Sequence, residues 1–121
     1  MTESLSKLNI LLGTGLFFYS RFGSRLNEAG YEVSDVSNPA ELYDRCHTYQ
    51  IIVFDLNNPD LGGIETLRKL RSIFSGKIIA FAGHTQKTLL ESAREIGVDK
   101  VSINSEMAKF LEEIVEEVLH S

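Results

Sequence analysis

The chain is poor in several residue types, and each shortage excludes a class of protein. Its 121 residues include one cysteine, Cys46, so the chain cannot form an internal disulfide. The lack of a disulfide fits a reducing compartment, and we therefore expect the cytoplasm.

Long apolar runs and basic residues are also scarce. No stretch approaches the roughly 20 apolar residues that a membrane-spanning helix needs. The first residues, Met-Thr-Glu-Ser, lack the basic and then apolar order of a secretory signal. Lys and Arg number 12 against 17 Asp and Glu, for a net charge of −5. Because nucleic-acid binding needs clustered cations, we expect no nucleic acid as the partner. Because no apolar stretch is long enough, we expect no membrane either.

The remaining composition is that of an ordinary globular protein. Hydrophobic residues make up 43% of the chain and charged residues 24%, and no internal repeat or low-complexity segment interrupts them. The length suits one hydrophobic core, so we expect a single domain over residues 1–121.

Strand and helix patterns alternate along the whole chain. Short apolar runs predict strands over residues 8–12, 31–36, 51–54, 77–82 and 101–103. Amphipathic segments predict helices over residues 16–29, 39–47 and 64–74, a fourth that ends at residue 96, and a fifth capped by Ser105. The run 51–54 is apolar without alternation, as in a strand buried on both faces. We therefore predict an α/β fold: a five-stranded parallel sheet with helices on both faces.

Ligands of such sheets bind at the carboxyl ends of the strands, where the strand order reverses. Asp55 follows the central run, and Pro59 and Gly63 stand four and eight residues later. The pattern resembles the receiver domain of response regulators, from about residue 9 to residue 119. The helix end Ala29-Gly30-Tyr31 and the segment 93–99 add to the resemblance, which implies the flavodoxin-like three-layer fold and gives Asp55 the place of the phosphoacceptor.

The resemblance also implies residues that this chain lacks. Receivers hold Mg²⁺ with an acidic pair after the first strand, and they carry a hydroxyl after the fourth strand, with an aromatic residue and then a lysine in or after the fifth. Aligned on the matching motifs, these positions are occupied here by Gly13 and Thr14, Ala82, Val101 and Asn104. The proline that usually follows the lysine is replaced by Ser105.

Without these groups the phosphoacceptor chemistry is impaired. Phosphorylation of Asp55 would bring two anions together with no metal ion and no lysine to offset their repulsion. Lys100 is no substitute, since it precedes the fifth strand and lies about 13 Å along the chain from Asn104. We therefore expect Asp55 to be phosphorylated inefficiently, and to accept hydrogen bonds from loop amides or from the Asn104 amide.

The last helix carries a further apolar row. Leu111, Val115 and Leu119 recur at intervals of four beyond the predicted inner stripe, which is Met107, Phe110 or Leu111, Ile114 and Val118. The row predicts either an interface with a partner protein or a second copy, or a broad core face.

Three functional hypotheses follow. The first is a degenerate receiver that acts as a protein-binding module in signalling or transcriptional control, without a cofactor or bound metal. The second is a phosphorylatable receiver with Asp55 as acceptor. The third is a small-ligand domain that uses the vacated pocket and the turn Gly13-Thr14-Gly15. An enzyme is not expected, since the sequence shows no nucleophile–base pair or metal-ligand cluster.

Overall fold

The computed structural model describes residues 8–121. The five strands are β1 Asn9–Gly13, β2 Glu32–Asp35, β3 Ile51–Asp55, β4 Lys77–Ala82 and β5 Lys100–Ile103. The five α-helices are α1 Gly15–Glu28, α2 Pro39–Arg45, α3 Gly63–Ile73, α4 Lys87–Ile96 and α5 Asn104–Leu119. The first four residues, on which the expectation of no secretory signal depends, lie outside the described residues.

The strands form one parallel sheet in the order β2-β1-β3-β4-β5. All five residues of β3 are buried, as its continuous apolar run predicted. The strand order reverses between β1 and β3, and there Gly13 stands beside Phe54, the residue before Asp55. The predicted sheet is confirmed.

Two hydrophobic cores cover the two faces of this sheet. Alternate strand residues such as Ile52 and Phe54 pack with α2, α3 and α4, whereas Val53 and Phe81 pack with α1 and α5. The predicted placement of helices on both faces is thus confirmed. Within residues 8–121, no helix is both long and apolar enough to cross a membrane.

The start of α2 follows the sequence signal. The side chain of Asn38 accepts a hydrogen bond from the Glu41 N–H at 2.9 Å, and the Glu41 carboxylate accepts one from the Ser37 N–H at 3.1 Å. Pro39 occupies the first helical position, where no N–H is needed. The α-helix ends at Arg45, and a short 3₁₀ turn continues it to Thr48.

The predicted start of α5 is wrong. The helix begins at Asn104, directly after β5, and Ile103 occupies the cap position without a side-chain hydrogen bond. Because no loop residue separates β5 from α5, Ser105 lies inside the first turn and not before it.

The interface predicted on α5 is also wrong at two of its three residues. Leu111 and Val115 are fully buried in the core shared with α1, and Leu119 is partly buried. The broad core face is the correct alternative, because α5 packs on the sheet and also against α1. Within the inner stripe, Leu111 is buried and Phe110 is 42% exposed.

Candidate functional site

Asp55 ends the central strand and is almost enclosed. Its side chain is 6% exposed, and its Oδ1 accepts a hydrogen bond from the Asn57 N–H at 2.9 Å. An aspartate that binds the amide two residues later forms a compact turn, which fixes the start of the β3–α3 loop. The predicted hydrogen bond from a loop amide is confirmed.

Burial also changes the acidity of Asp55. Desolvation raises the pKa of this carboxyl group, and the hydrogen bond from Asn57 opposes the rise. Within residues 8–121, no Lys or Arg forms an ion pair with Asp55. Burial therefore makes the ionised form of Asp55 less favourable than it is in an exposed aspartate.

Substitution of Asp55 by Asn tests this state. The folded chain binds the proton more tightly than the unfolded chain, so the free energy of unfolding falls as pH rises from the unfolded pKa, about 3.9, through the raised folded pKa. Asp55→Asn removes the charge and keeps an oxygen for the Asn57 N–H. We expect it to stabilise the fold at pH 7 by on the order of 1 kcal/mol.

Urea unfolding at pH 7 and at pH 3 measures the effect. The gain should vanish at pH 3, where both states of the parent chain hold the proton. A variant that is less stable than the parent at pH 7 would contradict the assignment of Asp55 as a buried and uncompensated carboxylate.

The positions of the missing acidic pair offer no carboxylate. A Cβ atom on Gly13 would lie 3.5 Å from Leu61 Cδ1, 3.6 Å from Phe54 Cδ1 and 3.7 Å from the Val53 carbonyl oxygen. Thr14 is 3% exposed, and its hydroxyl donates to the Gly15 carbonyl at 3.3 Å. Gly15 itself has a φ of +82°, which favours glycine, and opens α1. The turn Gly13-Thr14-Gly15 is thus a close-packed connection.

The other two vacated positions lie across the same edge. Ala82 ends β4 and is fully buried, without a hydroxyl group. Asn104 opens α5, and its Oδ1 is buried without a hydrogen-bond partner among the described residues. No hydrogen bond joins Asn104 to Asp55 in residues 8–121, so of the two predicted donors the loop amide is the one observed.

These residues do not match the magnesium site that the resemblance implies. In place of the acidic pair, the chain has Gly13 and Thr14 at the end of β1, and a Cβ atom on Gly13 would lie against Leu61 and Phe54. In the part of the chain that the structure describes, no three His, Cys, Asp or Glu side chains converge into a metal site.

Lys100 does not take the place of the missing lysine. It begins β5, at the end of the strand away from Asn104, and its Nζ lies 3.6 Å from Glu117 Oε1. His84 follows β4 and is exposed, as expected of a loop histidine. The conclusion that Lys100 is remote from Asn104 is confirmed.

The sequence did not reveal Asn57, which joins two loops of the site. Its side-chain oxygen accepts a hydrogen bond from the Gly83 N–H at 2.8 Å. In the same region, the Leu56 N–H donates to the Phe81 carbonyl at 2.9 Å. Asparagine is common in loops, so nothing in its spacing marked this role. The contact fixes the β3–α3 loop against the β4–α4 loop.

Comparisons with known proteins agree with this geometry. The response regulator receiver domain, as a family, matches residues 18–113. The chain belongs to this family. No curated protein matches the chain.

Solved receivers share the fold over nearly the whole chain. The receiver domain of TorR, a response regulator of the TMAO respiratory system, is 23% identical, with 93% of this chain and 96% of that chain covered and a TM-score of 0.82. A LuxR-family response regulator from Aurantimonas sp. SI85-9A1 is 28% identical, covering 95% and 86%, with a TM-score of 0.77. A CheY-like receiver from Methanospirillum hungatei JF-1 is 22% identical, covering 95% and 96%, with a TM-score of 0.79.

Membership defines the general role of the domain. Receivers are signalling modules of two-component systems that work through contacts with other proteins, and they are generally not enzymes.

Proposed function

We propose that this receiver is a protein-binding module in signal transduction or transcriptional regulation, and that its output does not depend on phosphorylation of Asp55. One observation carries the proposal. No carboxylate follows β1 beside Asp55: the positions there are Gly13 and Thr14, and a Cβ atom on Gly13 would lie against Leu61 and Phe54.

Electrostatics gives the scale of the defect. Two unit charges of like sign about 4 Å apart, at an effective dielectric constant of 20, repel by about 4 kcal/mol. That energy corresponds to a rate roughly a thousandfold lower if nothing offsets it. Asn104 is neutral where the resemblance implies a lysine, so no cation at that position offsets the repulsion.

The groups that would transmit a phosphorylation signal are missing as well. In receivers, the hydroxyl after the fourth strand and the aromatic residue in the fifth couple the phosphate to the distal face. Here those positions are Ala82, which is fully buried, and Val101, which packs against the core beside α4. A phosphate on Asp55 would therefore lack the usual means of changing the surface.

Treatment with acetyl phosphate tests the proposal directly. Incubated with Mg²⁺ and acetyl phosphate, the chain should keep its unmodified intact mass. An Asp55→Asn variant serves as the control for labelling at other sites. Labelling that approaches one phosphoryl group per chain and disappears in the control would refute the proposal.

Two alternatives have an observation in their favour. The position of Asp55 at the end of β3, with its family-typical loop, favours a phosphorylatable receiver. Asn104 Oδ1 is buried and has no hydrogen-bond partner within residues 8–121, which favours a small ligand that donates a hydrogen bond to it. Thermal shifts distinguish them: beryllofluoride with Mg²⁺ stabilises the chain under the first alternative, and nucleotides or small anions under the second.

A further inference from the structure

Phe110 is the aromatic side chain of α5 that points out of the core. It is 42% exposed, and its backbone leaves the helical region, with φ −122° and ψ 28° inside a helix that otherwise continues to Leu119. Arg25 of α1 contacts α5 on both sides of this kink. Its guanidinium group donates to the Ala108 carbonyl and forms an ion pair with Glu112. Arg25 thus holds the helix backbone at Ala108, two residues before the kink at Phe110.

A shallow concavity of about 330 Å³ surrounds the exposed ring. We call it the Phe110 groove; it is lined by Lys100, Glu106, Phe110, Glu113, Ile114 and Glu117. The α5 members recur at intervals of three and four, so they form one stripe of the helix. From Glu106 to Glu117 the stripe runs about 16 Å, the length of roughly five residues of extended peptide.

The lining of the Phe110 groove is acidic on balance. Three of its side chains are glutamates and one is a lysine, and Lys100 Nζ already lies 3.6 Å from Glu117 Oε1. Glu106 is held in place by a hydrogen bond from the Ser102 hydroxyl at 2.9 Å. The ring of Phe110 also accepts a cation, since Lys109 Nζ lies 5.3 Å from its centroid. An apolar floor between carboxylates suits a ligand that is apolar and basic.

We propose that the Phe110 groove binds a basic segment of a partner protein, with an apolar side chain on Phe110 and Ile114 and Lys or Arg side chains facing the three glutamates. The inference rests on the proposed function and names the surface and the partner chemistry for it. A second copy fits less well, because two such stripes would place like charges opposite each other.

Selection from a library of displayed peptides tests the groove. Random peptides about twelve residues long exceed the length of the stripe and sample both charge signs. Selected on the immobilised chain, they should be enriched in sequences with Lys or Arg on both sides of a large apolar residue. Their affinity should fall as salt concentration rises, because screening weakens the attraction.

Three variants make the result specific. Phe110→Ser and Glu113→Lys should each weaken the selected peptides by roughly tenfold or more, the scale of one good contact. Phe17→Ser is the matched control: Phe17 is 63% exposed on α1, away from the groove, and its loss should leave binding unchanged. Thermal unfolding confirms that each variant is folded.

Several results would overturn the inference. Enrichment of acidic or uncharged peptides, no enrichment at all, or equal binding to Phe110→Ser would exclude a basic partner in the groove. A dimer in light scattering that Phe110→Ser converts to a monomer would assign the surface to a second copy.

Repeating the binding measurement with Mg²⁺ and beryllofluoride separates this inference from the proposed function. Equal binding with and without the phosphate mimic supports both. If binding requires the mimic, the groove is the binding site but the output depends on phosphorylation, which refutes the proposed function. If basic peptides do not bind and the mimic has no effect, the assignment of the groove as a binding site is refuted and the proposed function stands.

Discussion

A chain with Thr14→Asp and Asn104→Lys is expected to take up phosphate from acetyl phosphate at least about a hundredfold faster than the parent chain. The first change adds a carboxylate beside Asp55, so that two can hold Mg²⁺. The second places a cation at Asn104, whose buried side-chain oxygen has no hydrogen-bond partner in the part of the chain that the structure describes. Removing most of a repulsion of about 4 kcal/mol recovers most of a thousandfold loss in rate.

Intact mass measured over time gives both rates. Matched controls are Thr14→Asn with Asn104→Gln, which changes shape without adding charge, and the charged double variant that also carries Asp55→Asn. Neither control should be labelled. If the parent chain is labelled as fast as the restored variant, the missing charges are not the cause of the defect.

Leu111→Ala should cost about 2–5 kcal/mol of the free energy of unfolding, the range for truncating a fully buried leucine. Leu111 is 0% exposed in the core that α5 shares with α1. Truncation leaves a cavity that a helix fixed on both sides cannot close. Urea unfolding monitored by circular dichroism measures the loss.

Leu119→Ala provides the comparison, since Leu119 is partly exposed near the end of α5 and should cost clearly less. Light scattering of both variants should match the parent chain. If Leu111→Ala lost little stability and changed the oligomeric state, the row Leu111, Val115 and Leu119 would be an interface and not part of the core.

The sequence predicted the sheet because its signals were local and redundant. The run 51–54 was apolar at every position, and β3 is buried throughout. Asn38, Pro39 and Glu41 together marked one helix start, and the structure shows the hydrogen bonds that those residue types make. Alternating strands and helices with short connections then left few possible arrangements.

The predictions about α5 failed where tertiary contacts determine the start of a helix or the burial of a residue. Ser105 is a good cap in isolation, but β5 leads into α5 without a loop, so its position falls inside the helix. The stripe of α5 could not reveal that α1 packs on its second side and buries Leu111 and Val115. The exposed Phe110 lies at a kink of α5, and the residue that contacts the helix beside this kink, Arg25, stands more than 80 positions earlier in the chain.

The sequence predicted those features of the candidate site that depend on which residue types are missing. Gly13, Ala82 and Asn104 showed that charges and a hydroxyl were missing, and the structure places all three at the carboxyl edge near Asp55. The contacts of Gly13 required coordinates, because Leu61 and Phe54 lie more than 40 residues later in the chain. The burial of Asp55 likewise depends on the folded structure.

The most direct measurement is a two-dimensional amide NMR spectrum of the parent chain before and after adding Mg²⁺ with beryllofluoride, a mimic of the phosphoryl group. The account predicts that the amides of Asp55, Asn57, Gly83 and Asn104 keep their positions at millimolar Mg²⁺. A new set of signals for these residues, saturating at one mimic per chain, would show that Asp55 seats the metal and the phosphoryl group, and would contradict the central claim.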